Sequence, residues 1–436
     1  MDFKIKQKWA VLFLVFVSMV YLLIYFWDSA YSKSKVVEIF YADRITAAHR
    51  ILINEYNRIN EGKIKVIPID FPNFDFSTNE RKEVLARSLR GGGDGIDLFA
   101  VDLIWVQRFA KWCEPLGKYF TDTEKNRILE CALESCYYDG DLVAVPFDFV
   151  QGIMYYREDL IKQNKNAGEI LKKINSNITW SDFIKLKNEI GSRNPFYIYP
   201  AADFEGLICS FMEMVLSLRP KYFEEVGFNF NTPEAERSLQ MLVDLVNKYG
   251  LTPPEVTNLA DIPSYEYFIN NDALFVRGWP SYDKDFKETP INAEKESRLK
   301  KTAIPHFADG KQSTVFGGWN LMILKFSNIK EQVIDFIKFL LREESQEIIY
   351  RESGHYPVVK SFYNDPEYLK KYPEISQLKE MQKYGVHRPA NVDYTKYSKM
   401  MSYYFEKAIQ NKISVKQALE ECTNAIQMDK VMIKEF

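Results

Sequence analysis

After Trp27 the apolar positions change period again and again. "VVEIFYA", Val36 to Ala42, is a continuous run of β-branched and aromatic residues and reads as a buried strand. In "TAAHRILINEYNRIN", Ala47, Ile51, Leu52, Tyr56 and Ile59 recur near helical spacing, and Gly62 stops the helix. "KIKVIPIDF" is a second strand. "STNERKEVLARSLR" is a second helix, with Ser77 or Thr78 able to cap it and Glu80 near its start. "IDLFAVD" is a third strand. Strand, helix, strand, helix, strand predicts a parallel, doubly wound α/β sheet. Asp102 stands at the carboxyl end of the third strand, where open α/β sheets bind ligands.

The glycine run Gly91–Gly93 follows a helix and precedes a strand. A phosphate-binding loop needs the opposite order, so that helix amides face the anion, and here no lysine with a following Ser or Thr comes after the glycines. The run reads as a helix C-cap and turn. Further on, "DGD" at Asp139–Asp141 signals a hairpin. "TWSDFIKLKNEI" is a capped amphipathic helix. "TPEAERSLQMLVDLVNKYGL" has Thr232 as N-cap, Pro233 in the first turn and Gly250 as its stop. "NIKEQVIDFIKFLLREESQEIIYRESG" reads as one long helix with Val333, Phe336, Ile337 and Leu340 on its apolar face.

Charge and composition narrow the function. A net charge of −3, from 57 basic and 60 acidic residues with no basic stripe, argues against nucleic acid as a partner. Aromatic residues make up 15% of the chain, enough to furnish both cores and flat ligand platforms. Lys4, Lys6 and Lys8 precede an uncharged stretch from Trp9 to Trp27. A membrane-crossing helix needs roughly 20 residues, so this stretch is expected to anchor the chain, with the lysines cytoplasmic and the body outside. Signal peptides have a shorter apolar core, of about 7–15 residues, yet "AYS" at Ala30–Ser32 is a serviceable cleavage site, and both fates stay open. The first cysteine is Cys113, so no cysteine follows the apolar stretch closely enough to carry a lipid anchor. One local disulfide among Cys113, Cys131 and Cys136 is compatible with export, and the odd total of 5 leaves a free thiol. The four histidines share no ligand spacing with the cysteines, and neither a metal nor a cofactor is expected.

Several segments, in order, resemble one family. "GGGDGIDLFAVDLIWVQRFAKWCEPLGKYF", "GDLVAVPFDFVQGIMYYREDL", "TWSDF", "FGGWNLMILKFSNIKEQVIDFIKFLLREESQ" and "SGHYPVVKSFYNDPE" are similar to the extracellular solute-binding proteins of ABC importers, in their carbohydrate-binding, maltose/trehalose-like group. The resemblance implies a periplasmic-binding-protein fold of type II: two α/β lobes with the ligand in the cleft between them. Crossings are expected near Pro146–Phe149, Thr302–Pro305 and Gly354–Pro357. Residues 33–147 with 303–353 would form one lobe and 148–302 with 354–436 the other, after a membrane or signal segment at 1–32. It further implies a small-molecule ligand, most simply a carbohydrate, delivered to separate permease subunits at the outer face of the cytoplasmic membrane or in the periplasm.

A sugar offers flat apolar faces rimmed by hydroxyls, and a site for it needs aromatic rings and planar polar groups. Trp279 in "RGWPSY" and Trp319 in "GGWN" follow glycines that allow close approach, and both fit family binding positions, as do Gly317 and Gly318. Asp102, and Asp43 with Arg44 after the first strand, can accept or donate to hydroxyls. Phe147 and Asp148 lie beside the expected hinge, and Arg388 matches a family arginine that reaches the cleft. One departure stands out: some sugar binders place Asp four residues after the hinge proline, where this chain has Val150. Two rivals to a transport binder are a membrane-tethered ligand sensor and an enzyme on the same scaffold. The chain shows neither a nucleophile elbow nor a paired-histidine motif to support catalysis.

Overall fold

The computed structural model describes Trp9 and residues 13–22, 36–71, 78–93, 95–191, 194–285, 295 and 298–429. Its strands, in chain order, are β1 (Val37–Asp43), β2 (Ile64–Asp70), β3 (Leu98–Asp102), β4 (Tyr137–Tyr138), β5 (Asp141–Leu142), β6 (Val145–Pro146), β7 (Val150–Gln151), β8 (Ile153–Arg157), β9 (Tyr197–Ile198), β10 (Phe275–Gly278), β11 (Leu299–Thr302), β12 (Thr314–Gly317), β13 (Trp319–Ile323) and β14 (Gly385–Val386). A five-stranded sheet in the order β2-β1-β3-β13-β6 centres the first lobe, and a four-stranded sheet β11-β8-β10-β9 centres the second. A three-stranded sheet, β14-β12-β7, lies beside the junction.

The first lobe opens as its residue pattern predicts. β1 pairs parallel with both β2 and β3. The helices between them span Ala47–Ile59 and Thr78–Arg90. Leu52, Ile53 and Tyr56 from the first helix and Leu85, Ala86 and Leu89 from the second are buried against the sheet. Gly93 ends the second helix: its amide donates to Ser88 O (3.0 Å), its φ is +96°, and the Leu324 side chain fills the place a Cβ would need. The glycine run is therefore a packed turn, and it ends the helix that supplies part of the site described below.

Between β6, which pairs with β13 in the first sheet, and β7, which pairs with β12, the chain passes through Phe147–Phe149, within the Pro146–Phe149 segment. The other crossings differ from the expectation. Thr302 is still paired to Met154, and His306 to Thr179, so Thr302–Pro305 lies within the second lobe. The return comes at Gly317–Gly318, where β12 gives way to β13, because β13 pairs antiparallel with β3 and β6 of the first sheet. Gly354–Pro357 borders the hinge, with Tyr356 paired to Phe149. The chain then stays on the first lobe, since Val358 O accepts from the Leu129 amide (2.7 Å) and the Lys360 amide donates to Arg127 O (2.9 Å). It enters the second lobe at β14, which pairs with β12.

The expected long helix after Ile329 is two helices, Lys330–Leu340 and Glu343–Ser353. Periodicity runs through the break, but side chains favour it. Ser345 Oγ donates to Phe339 O (2.8 Å) and Gln346 Nε2 to Leu340 O (3.0 Å), which satisfies carbonyls a helix end leaves bare. Gln346 also donates to Phe147 O (3.1 Å) and accepts from the Val358 amide (2.7 Å), so the bend ties this region to the hinge.

All five cysteines are free thiols, and the local disulfide allowed by their spacing does not form. Residues 13–22 are helical. Among the described residues no helix is long and apolar enough to cross a membrane, and the rest of the anticipated span at Trp9–Trp27, with the Ala30–Ser32 cleavage site, lies outside them apart from Trp9 itself.

Candidate functional site

The carboxyl ends of β1 and β3 and the start of β13 converge beside the hinge. Trp319 and Asp102 are cross-strand partners, so one register places an aromatic platform next to a carboxylate. Two adjoining crevices open around Trp319. One, with about 340 Å³ of unfilled space partly open to solvent, is lined by Asp43, Arg44, His49, Arg81, Phe147 and Asp148 among others, with His355 on its hinge side. The other, about 270 Å³ including space open to solvent, reaches Phe71, Lys82, Leu85 and Trp105. Asp43, Arg81 and Trp319 border both.

Trp319 is half-buried. The Arg81 guanidinium lies 4.2 Å from its ring centroid, and Trp105 meets it edge-on at 6.5 Å. Arg81 is buried and, among the described residues, makes no hydrogen bond: its nearest carboxylate is Asp43, at 3.9 Å, and its Nε has no partner. Burial pulls this guanidinium down to about 10 against the attraction of Asp43. A cation so poorly solvated, on an aromatic face in the wall of a crevice, has N–H groups able to donate to an oxygen placed there. Lys82, its neighbour, places its ammonium 5.3 Å from the Trp105 ring centroid.

Asp43 faces a different task. It accepts from the Tyr41 hydroxyl (2.7 Å) and the Arg44 amide (2.6 Å), and lies 3.0 Å from His49 Nε2. Burial pushes its carboxyl up, but His49, Arg81 and Tyr41 together hold it below the usual range. His49 is fixed in turn by Thr46, the cap of its helix, and by the Phe147 ring at 4.7 Å. Asp148 is committed to the hinge: Oδ1 accepts from the Trp319 amide (3.0 Å) and Oδ2 bonds His355 Nδ1 (2.6 Å). Gly318 has φ +133°, and a Cβ there would stand 2.6 Å from Asp148 O.

Asp102 caps the short turn Leu103–Trp105 by accepting from the Ile104 amide (3.1 Å), and it also accepts from Arg388 Nη2 (2.6 Å). Burial raises its carboxyl despite both partners. Arg388, carried by the second lobe and 2% exposed, bonds Glu205 through Nη1 (2.8 Å). Trp279 does not line either crevice. It is half-buried with its ring edge over Gly317, and the Arg277 guanidinium is 4.4 Å from its centroid, held by Glu213 at 2.8 and 3.2 Å.

The sequence-derived residues thus fall into groups. Asp43, Arg44, Phe147, Asp148 and Trp319 gather at one crevice. Asp102 and Arg388 meet each other beside it, and Gly317 joins Trp279 to the crossing strand. Sequence reading missed Arg81, Lys82, His49, Trp105, Glu205 and the Arg277–Glu213 pair. Arg81 and Lys82 look like the polar face of an amphipathic helix, and only the docking of that helix turns them inward. Among the described residues no group of His, Cys, Asp and Glu side chains could hold a metal ion.

Comparison with known proteins agrees with this architecture. The chain is similar to a probable ABC transporter-binding protein of Deinococcus radiodurans, 24% identical over 353 residues, which is 78% of this chain and 80% of that protein. A maltose-bound MalE3 of T. maritima superposes with a TM-score of 0.80 at 24% identity, covering 90% of this chain and 100% of that one. A solute-binding protein of Thermotoga lettingae bound to α-D-tagatose gives 0.77 at 18% identity, over 91% of this chain and 99% of that one. One from Agrobacterium vitis with bound D-mannitol gives 0.72 at 18%, over 90% and 98%. At these identities the likeness is one of fold. The model of the bacterial extracellular solute-binding protein family matches residues 42–347, most of the chain and parts of both lobes, and the chain belongs to that family.

Proposed function

We propose that this protein binds a small polyhydroxylated solute, a sugar or polyol, between its lobes outside the cytoplasmic membrane and hands it to the permease of an ABC importer. The observation that carries the reading is Trp319. Its half-buried ring carries Arg81, whose Nε has no partner, on one face and pairs across the strands with Asp102, so an apolar platform stands beside a donor and an acceptor. That combination suits a ring-shaped ligand with hydroxyls around its rim. Asp43, Arg44, Phe147 and Asp148 would shape the inner wall, while Trp279 with Gly317 and Gly318 would approach from the crossing strand. Maltose, tagatose and mannitol, bound by three of the fold relatives, are all polyhydroxylated. The Trp9–Trp27 stretch would tether the body to the membrane. The two sheets, linked through Phe147–Phe149, Gly317–Gly318 and the 384–386 segment, would be the units that close on the ligand.

A thermal-shift screen against maltose, tagatose, mannitol and longer oligosaccharides tests the ligand class. A ligand at 100 times its Kd should add about 2.7 kcal/mol of stability. If no sugar or polyol in such a panel moves the transition, the class is wrong. The intact mass of protein recovered from membranes tests the tether, since cleavage after Ser32 would start the chain at Lys33.

A further inference from the structure

Arg388 is bonded to carboxylates of both lobes. Glu205 is the first residue of the second-lobe helix Glu205–Leu218, where the helix dipole favours an anion. It accepts from Arg388 Nη1 (2.8 Å), from the Tyr394 hydroxyl (2.6 Å) and from Ser398 Oγ. Those three donors fix the carboxylate, and the carboxylate fixes the guanidinium. The other end of the guanidinium crosses to Asp102 at the tip of β3 in the first lobe (2.6 Å). Arg388 follows β14 by two residues, and β14 pairs with β12, the strand that leads into the Gly317–Gly318 crossing.

We propose that Arg388 is an interlobe latch and Glu205 its positioning residue, so that the lobes close on each other before any ligand arrives. The bridge can form only while Asp102 and Glu205 face each other across the cleft. Opening would return Asp102 to water and leave the buried guanidinium with one carboxylate. Closure is then paid for within the protein, and a ligand selects a state already populated, which raises its apparent affinity by the reciprocal of the competent fraction. The latch ends one strand position from the Trp319 platform, through the Trp319–Asp102 pairing, so a molecule on that platform would be enclosed by it.

Small-angle scattering on the ligand-free protein tests this, and it does so separately from the sugar reading because no ligand is added. Wild type should be compact. R388Q and D102N should both show a larger radius of gyration, and E205Q an expansion between those of wild type and R388Q. The double variant D102N/R388Q should expand no further than R388Q, since the same bridge is already broken. Circular dichroism and melting confirm folding, and should R388Q fail to fold, D102N and E205Q carry the test. An already expanded wild type, variants as compact as wild type, or additive expansion in the double variant would each overturn the latch.

Discussion

Replacing Gly318 with alanine puts a side chain where the second crossing has no room for it. The residue sits at φ +133°, a region nearly closed to L side chains, and its new Cβ would lie 2.6 Å from Asp148 O and 3.0 Å from Phe149 Cα. Both neighbours are backbone atoms of the first crossing, so neither can swing aside as a flexible side chain would. Backbone strain of this kind costs about 1–3 kcal/mol, and relief of the clash by shifting the crossing adds to it, for a total near 3 kcal/mol. With an unfolding entropy of roughly 2.1 cal/mol/K per residue over a chain of this size, that lowers Tm by about 3 °C. Gly317→Ala is the internal control. Its φ is unexceptional and its Cβ would meet the Val150 methyl (2.9 Å) and the Trp279 ring (3.1 Å), side chains that can give. It should leave Tm closer to wild type and act through the tilt of Trp279 instead. Differential scanning calorimetry of both variants decides the matter. A Gly318→Ala protein that melts with wild type, or a Gly317→Ala protein that melts lower than Gly318→Ala, would refute the assignment of position 318 as a crossing that only glycine fits.

Two further outcomes follow from the hinge and its surroundings. Asp148→Asn keeps an oxygen for the Trp319 amide but loses the charged partner of His355, and should cost about 1.5–3 kcal/mol in denaturant melts. His387 is half-buried, with its ring 5.1 Å from that of Phe316 and its Nε2 3.4 Å from Glu134, and partial burial, with the adjacent Arg388 charge, holds its imidazole below the usual range. The unfolded chain therefore binds this proton more readily, so stability should fall as pH drops below about 6.5 and level off once the folded-state pKa is passed. His387→Gln should flatten that part of the Tm–pH curve, whereas an unchanged slope would assign it to other groups.

Much of this architecture is legible in the residues. β1 to β3 announce themselves by β-branched and aromatic runs, and Asp102 by its place at a strand end. Trp319 and its glycines are visible because glycine before an aromatic ring marks a close approach. What stays hidden depends on docking. The helix Thr78–Arg90 shows its buried Leu85, Ala86 and Leu89, but nothing in its spelling says that Arg81 would be turned onto a tryptophan 238 positions later in the chain. Glu205 reads as an ordinary acidic helix start until Arg388 arrives from 183 residues away. The break at Leu341 is invisible to periodicity because Ser345 and Gln346 cap backwards, a side-chain choice that local hydrophobic spacing does not encode. Asp148 looks like a ligand group by position, yet both its oxygens are engaged within the hinge.

Isothermal titration of wild type and Trp319→Ala, with whichever sugar or polyol stabilises the wild type most, shows whether Trp319 is the platform on which a polyhydroxylated solute is held. Loss of one stacking ring should weaken binding by about 1–3 kcal/mol, roughly 5- to 150-fold, taking base–aromatic stacking as the guide to magnitude. The melting temperature of the ligand-free variant should stay near that of wild type, because the ring is only half-buried. Unchanged affinity in Trp319→Ala would contradict the account, as would a variant that loses the 3–5 kcal/mol typical of a truncated core aromatic and so reveals Trp319 as part of the core.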